Sequence, residues 1–324
     1  MLDGTMCRIL YALDYPYMYI HLRKFLEQRD HKRKHTPGIN NNPTQAPDYL
    51  RNTTSPSDSV NHLNPRDMDQ HTDGFGLAWF HPVWRNWTTM RSTSVYSSVD
   101  NNHTQAPDYL RFITSSLVDS RRYSVDHLNI QDVINNVGIR NVIVGHLRHA
   151  DRESSVAIEN THPFRYANHI FAHNGTITGY CDNREVILSR ILSEFKQRIK
   201  GDTDTEMLFY LFLTECEKQT GTDAERLVLG LKQTLAFLKL HFPEITANIV
   251  YANTNYSLIT RYRYSRDNTP GQAPSLYWNG EYTHRTEKVL ISSEPILDES
   301  YIIGENQYIL VRHNGYGPIQ CGRL

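Results

Sequence analysis

No run of apolar residues in this sequence approaches the roughly 18 needed to cross a bilayer, and the opening segment lacks the basic-then-apolar order of a secretory leader. A cytoplasmic protein with no membrane partner is therefore the expectation. Cysteine is scarce: Cys7, Cys181, Cys216 and Cys321 are far apart and form no CxxC pair. That spacing argues against a zinc knuckle and against a disulfide framework, so no metal or other cofactor is expected and each thiol is judged by its neighbours. An excess of one charge is missing too. Thirty-four basic residues against thirty-five acidic ones leave a formal charge of −1, which offers no field to attract nucleic acid. A small polar or zwitterionic substrate suits such a surface better.

What the chain does have is enough apolar material, 39 % of 324 residues, for a sizeable core. CRILYAL, from Cys7 to Leu13, reads as a short strand that begins at a cysteine; the charged stretch from His21 to Lys34 reads as helical. Residues 36–72 are rich in Pro, Asn, Thr, Ser and Asp and read as a low-complexity loop insertion. TQAPDYLR at 44–51 recurs at 104–111, a local duplication and not a repeat array. Beyond it, β-rich runs at 141–150, 169–177, 248–264, 288–295 and 301–311 surround two helical patterns, Arg184 to Arg198 and Thr205 to Leu240. Strands, then helices, then strands indicate an α+β fold with helix-covered sheets.

Several segments carry residues fit for chemistry. Removal of everything before Cys7 would leave a thiol and a free amine on one residue; an α-amine titrating near pH 8 can accept the thiol proton. Taken alone, Cys7 reads first as a buried structural cysteine opening a strand. HNG at 173–175 ends an apolar strand, where glycine allows close approach and the Asn174 amide can aim an N–H at an oxyanion; by itself the triplet is a turn signal first and an oxyanion hole only second. GHLRHA places Arg148 at a strand end, suited to a bidentate grip on a carboxylate. GDTDTE at 201–206 reads first as a helix cap with acids in the first turn, compatible with one Asp meeting an ammonium group.

The order MCRIL, DGFGLAWF, GHLRHA, NTHPF, HNGTI, GDTDTE, LITRY, PSLYW and SSEP resembles the class II glutamine amidotransferases, and is most similar to the stand-alone amidohydrolase branch that includes a subunit of the fungal glutathione-degrading complex. The resemblance implies a four-layer αββα N-terminal-nucleophile hydrolase fold: two stacked antiparallel sheets flanked by helices. It implies residues 1–6 as an extension or propeptide and 7–324 as the amidotransferase domain. By position it makes Cys7 the nucleophile, Asn174 and Gly175 the oxyanion hole, Arg148 the carboxylate clamp and Asp204 the α-amino anchor, with His162 and His173 shaping the substrate site. The implied reaction is cleavage of a γ-glutamyl amide, in glutamine or a glutathione-like compound, through a Cys7 thioester. A heteromeric partner subunit is compatible with it.

Two other readings stay open. A silent binding or regulatory subunit would keep the fold while residues before Cys7 block it. A metal hydrolase would use His146 and His149 of HLRH with His162, His169 and His173 downstream, although HxxH pairs ligands on a helix and this stretch reads as strand.

Overall fold

The computed structural model describes residues 7–13, 74–81, 85–92, 142–149, 156–279, 288–297, 300–313 and 320–324. The N-terminal extension, the stretch at 21–34, the insertion at 36–72 and both copies of TQAPDYLR lie outside these residues.

In chain order the strands are β1 (Arg8–Leu13), β2 (Gly74–His81), β3 (Asn86–Ser92), β4 (Val142–Arg148), β5 (Phe164–Tyr166), β6 (His169–Ile177), β7 (Glu244–Ala252), β8 (Tyr256–Arg261), β9 (Arg263–Ser265), β10 (Tyr277–Asn279), β11 (Val289–Ser292), β12 (Tyr301–Ile302), β13 (Gln307–Arg312) and β14 (Gln320–Arg323). The first sheet runs β12-β10-β11-β1-β4-β2-β3. The second runs β14-β13-β8-β7-β6-β5, with β9 also paired to β7. Every strand pairing among the described residues is antiparallel, and β1 lies in the interior of its sheet with Arg8 opposite Leu147 and Leu10 opposite Ser292.

The period of two along each strand sorts side chains between faces. Ile9, Tyr11 and Leu13 meet Ile170, Ala172, Val250 and Ile259 in an apolar layer between the sheets. Leu10, Ala12, Leu77 and Leu290 point away from it and are also buried, as a layer outside the first sheet requires. The outer face of the second sheet, with Phe171, Ile249 and Tyr251, is covered by helices. These are α1 (Tyr180–Arg190), α2 (Ser193–Lys196), α3 (Asp204–Glu217) and α4 (Asp223–His241). Phe209 of α3 stacks on Phe171 at 5.1 Å between ring centroids. Each such fully buried side chain contributes about 1.5–3 kcal/mol.

α3 is buried on nearly all sides, wedged between β6 and α4, which explains its long apolar run MLFYLFL. The apolar spacing from Thr205 to Leu240 belongs to two helices. Between them Gly221 takes φ +112, and Thr222 and Glu225 form a reciprocal capping box that opens α4. The pattern from Arg184 to Arg198 is likewise split, because Leu192 is extended and its N–H is taken by the Thr214 hydroxyl at 3.1 Å. No helix among the described residues is long and apolar enough to cross a membrane.

Candidate active site

Cys7 sits immediately before β1, at one end of the gap between the sheets. Its Sγ accepts the His149 N–H at 3.3 Å and faces the His149 carbonyl oxygen at 3.5 Å, so the thiol is held against the end of β4. Burial pushes the Cys7 thiol above its ordinary value of 9.0. The His149 N–H and the charges of Arg148 and Arg8 pull it back, while Asp204 adds to the rise. Residues 197 positions apart in the chain, Cys7 and Asp204, are thus near enough to feel one another's charge.

Arg148 is buried (3 % exposed) and lies opposite Gly74 of β2. Arg8 makes a 2.6 Å ion pair from Nε to Glu294 and reaches back to the Cys7 carbonyl oxygen at 3.5 Å. Ser293 completes the support: its Oγ accepts the Ile9 N–H at 2.9 Å and its own N–H donates to the Ile9 carbonyl at 3.0 Å. The SSEP segment holds the strand that follows Cys7. That role has no spacing signature and could be read only from pairing.

The second sheet supplies the facing wall. In β6, Asn174 and Gly175 lie opposite Asn248 and Ala247 of β7. Asn174 is buried yet engages no hydrogen bond with its side chain among the described residues, leaving its amide available. A Cβ on Gly175 would lie 1.9 Å from the Thr246 carbonyl oxygen, so only glycine permits this approach of strand to strand. Asp204 opens α3 just after the Thr203 cap, whose Oγ accepts the Glu206 N–H at 3.3 Å. The cap expected from GDTDTE is therefore present, and Asp204 Oδ2 also accepts the Ile177 N–H at 2.9 Å, tying the helix start to the end of β6.

The histidines lie behind these groups. His173 Nε2 is 3.1 Å from the Thr246 carbonyl oxygen, which can only accept, so this nitrogen carries the proton and Nδ1 accepts from Thr205 Oγ at 2.9 Å. His146 Nε2 donates to the His173 carbonyl oxygen at 3.2 Å and shares that proton with His162 Nδ1 at 2.9 Å. Burial holds His162 well below 6.5, helped by the neighbouring His146, His173 and Arg148 charges, and burial lowers His173 as well. The neutral His162 and His173 rings, with His146 bonded to the His173 carbonyl, brace β6 from behind. No group of three His, Cys, Asp or Glu side chains among the described residues is placed to hold a metal ion.

Trp87 is fully buried between the sheets and packs in the core. Asn248 and Arg261 were not singled out. Arg261 donates to three backbone carbonyls, of Pro274, Ala273 and Ile303, at 2.8–3.0 Å, and Asn248 Nδ2 donates to the same Pro274 oxygen at 2.9 Å. A buried polar residue alternating with Thr246 and Val250 was the available signal for Asn248.

Residues 113–266 match the family model of class-II glutamine amidotransferases. That stretch contains Arg148, His162, His173, Asn174, Gly175 and Asp204 but not Cys7. A "Probable glutamine amidotransferase DUG3" of Saccharomyces cerevisiae is 34 % identical over 77 residues, 24 % of this chain and 21 % of that protein. The aligned stretch thus spans about a fifth of the curated relative. Among solved structures, a glutamine phosphoribosylpyrophosphate amidotransferase from B. subtilis superposes with a TM-score of 0.52 at 12 % identity, over 98 % of this chain and 49 % of that one. A glutamine aminotransferase class-II domain protein from Silicibacter pomeroyi gives 0.47 at 20 % identity, over 78 % of this chain and 91 % of that one. The family match over 113–266, just under half of the chain, lies within two stacked antiparallel sheets that extend on both sides of it, and the fold is the four-layer αββα arrangement of the solved glutamine amidotransferase it superposes on.

Proposed function

We propose that the chain cleaves γ-glutamyl amides with Cys7 as nucleophile. The observation that carries this reading is electrostatic: one thiol lies within range of a buried cation, Arg148, and a carboxylate, Asp204. A γ-glutamyl group ends in an α-carboxylate and an α-ammonium, and these two side chains complement them in sign. The Cys7 sulfur attacks the γ-carbonyl carbon, and its proton passes to the leaving nitrogen. Asn174 and the Gly175 N–H receive the developing oxyanion, and collapse expels ammonia or an amine to leave a thioester. Water then adds to the thioester, giving glutamate and regenerating the thiol. His162 and His173 shape the pocket from behind.

The thiol's raised pKa bears on activation. With residues 1–6 attached, Cys7 has no α-amine, and its thiol stays protonated at neutral pH. We assign that state to a silent form and the form beginning at Cys7 to the active one, in which the amine serves as base. Glutamine and glutathione-like compounds present the same anchors, and the released ammonia or amine is free to pass to a partner subunit.

The test compares chains beginning at Met1 and at Cys7, with glutamate release from glutamine and from γ-glutamyl peptides as readout. Turnover by the Cys7 form, absent from the Met1 form and from Cys7→Ala, is expected. Turnover that survives Cys7→Ala, or its absence from the Cys7 form, would sink the proposal.

A further inference from the structure

Asn248 occupies the centre of β7, fully buried, directly across from Asn174. Its Nδ2 donates to the Pro274 carbonyl oxygen at 2.9 Å and lies 3.5 Å from that of Ser275. Both partners can only accept, which settles the orientation of the amide and leaves Oδ1 on the opposite side. That Oδ1 is buried and has no hydrogen-bond partner among the described residues. A buried acceptor in this state costs about 1–3 kcal/mol, and native proteins retain few.

The neighbour able to satisfy it is the Asn174 amide. Cross-strand partners place their Cβ atoms about 4.5–5.5 Å apart on one face of the sheet, within reach of two short amides. Alternation puts Asn174, like Ile170 and Ala172, and Asn248, like Val250 and Ala252, on the face toward the first sheet, where Cys7 lies. The Asn174 NH₂ has two hydrogens and only one can meet an oxyanion. A chain of bonds also ties Asn248 to the nucleophile strand. Pro274 and Ser275, its acceptors, precede β10; the Ser275 hydroxyl donates to the Ser293 carbonyl at 3.1 Å, and Ser293 bonds Ile9 in both directions. Arg261 pins the same Pro274 oxygen at 3.0 Å.

We infer that Asn248 is a positioning residue for the oxyanion hole: when substrate orders Asn174, Asn248 Oδ1 accepts one Nδ2 hydrogen of Asn174 and aims the other at the tetrahedral oxyanion. The inference rests on the proposed γ-glutamyl cleavage. Asn248 touches no substrate, so its loss should reach the reaction through Asn174 alone. The linkage through Ser275 and Ser293 keeps this amide in register with the strand that bears the nucleophile.

The test uses the Cys7-initiated chain and the variants Asn174→Ala, Asn248→Ala and the double substitution, with glutamine hydrolysis followed at saturating and limiting substrate. Asn248→Ala should lower kcat roughly 10- to 100-fold, the scale of a misplaced catalytic group, with KM changed less than about 2-fold. In the Asn174→Ala background it should add almost nothing, because the group it aims is gone. Glutamate γ-semialdehyde, which adds the Cys7 thiol across its carbonyl, should bind the Asn248→Ala variant more weakly, while glutamate binding stays unchanged. Independent, multiplicative losses in the double variant, or equal loss of semialdehyde and glutamate affinity, would overturn the inference. Should Asn248→Ala fail to fold, Asn248→Thr, which keeps an oxygen at shorter reach, gives the same comparison. A wild-type chain that releases no glutamate defeats the proposed function itself, whereas an active wild type with a silent Asn248→Ala effect defeats only this inference.

Discussion

The first sheet brings charge to the gap, and the second brings neutral hydrogen-bonding groups. On the first, Arg8, Arg148 and the Glu294 carboxylate surround the thiol at the head of β1. On the second, Asn174, Gly175 and Asn248 offer amides and bare backbone, with the neutral His162 and His173 behind them, and Asp204 adds a carboxylate from the helix layer. Charge around a thiol governs how readily it ionises, whereas fixed amides govern how well an oxyanion is received. In the proposed reaction the two walls would thus separate reactivity from transition-state recognition.

The largest expected effect lies on the first wall. Cys7→Ala should reduce glutamate release by on the order of 10⁴–10⁶ and leave the melting temperature almost unmoved, as steady-state assays with calorimetry will show. On the second wall, Asn174→Ala should lower kcat by about 10²–10³ at every pH tested; a variant that instead displaces the pH profile would blur the division between the walls. Glycines test how tightly each wall is built. Gly76→Ala would bring a Cβ to 1.9 Å from the His162 carbonyl oxygen, and Gly175→Ala to the same distance from that of Thr246. Urea unfolding should register losses of about 1–3 kcal/mol or more for each, with Gly175→Ala also costing activity because it parts β6 from β7.

Smaller effects belong to the helices, away from both walls. Thr222→Ala removes the capping box of α4 and should cost about 1 kcal/mol with unchanged kcat/KM. Burial alone would raise the Glu215 carboxyl, but its bonds to Arg190 and Lys218 outweigh that and hold it below 4.5. A group depressed in the folded state stabilises above its unfolded pKa, and that contribution is lost as pH falls through the folded value. Glu215→Gln should therefore flatten the decline of stability below about pH 4.5 by no more than about 1 kcal/mol, both partners being solvated. Thermal melts between pH 3 and 7 (about the range that matters here) will measure it.

The sheet strands were legible wherever apolar alternation ended in a glycine or a charge: CRILYAL, GHLRHA and HNGTI correspond to β1, β4 and β6. Helix ends were less so. Nothing in the local sequence marks Ile191 and Leu192 as a break, because the bond that extends them comes from Thr214, 22 residues away. The run 248–264 hides a turn in which Asn253 Oδ1 accepts the N–H groups of Asn255 and Tyr256 at 2.8 Å, separating β7 from β8. Within the site, residues in motifs were visible and those acting through backbone contacts were not. Arg148 and Asp204 stand at element ends with evident charge, whereas Ser293 and Asn248 acquire meaning only when distant strands pair.

The position of β1 has a consequence for how an N-terminus at Cys7 could be produced. Backbone pairing to β4 starts at Arg8, one residue past Cys7, and β1 is held from both flanks and by Ser293. An enzyme trimming inward along this chain would find its first strand-locked peptide bonds just after Cys7. Were residues 1–6 removed in this way, as the proposed activation requires, the folded sheet would act as a ruler, setting where digestion stalls without any recognition sequence being needed.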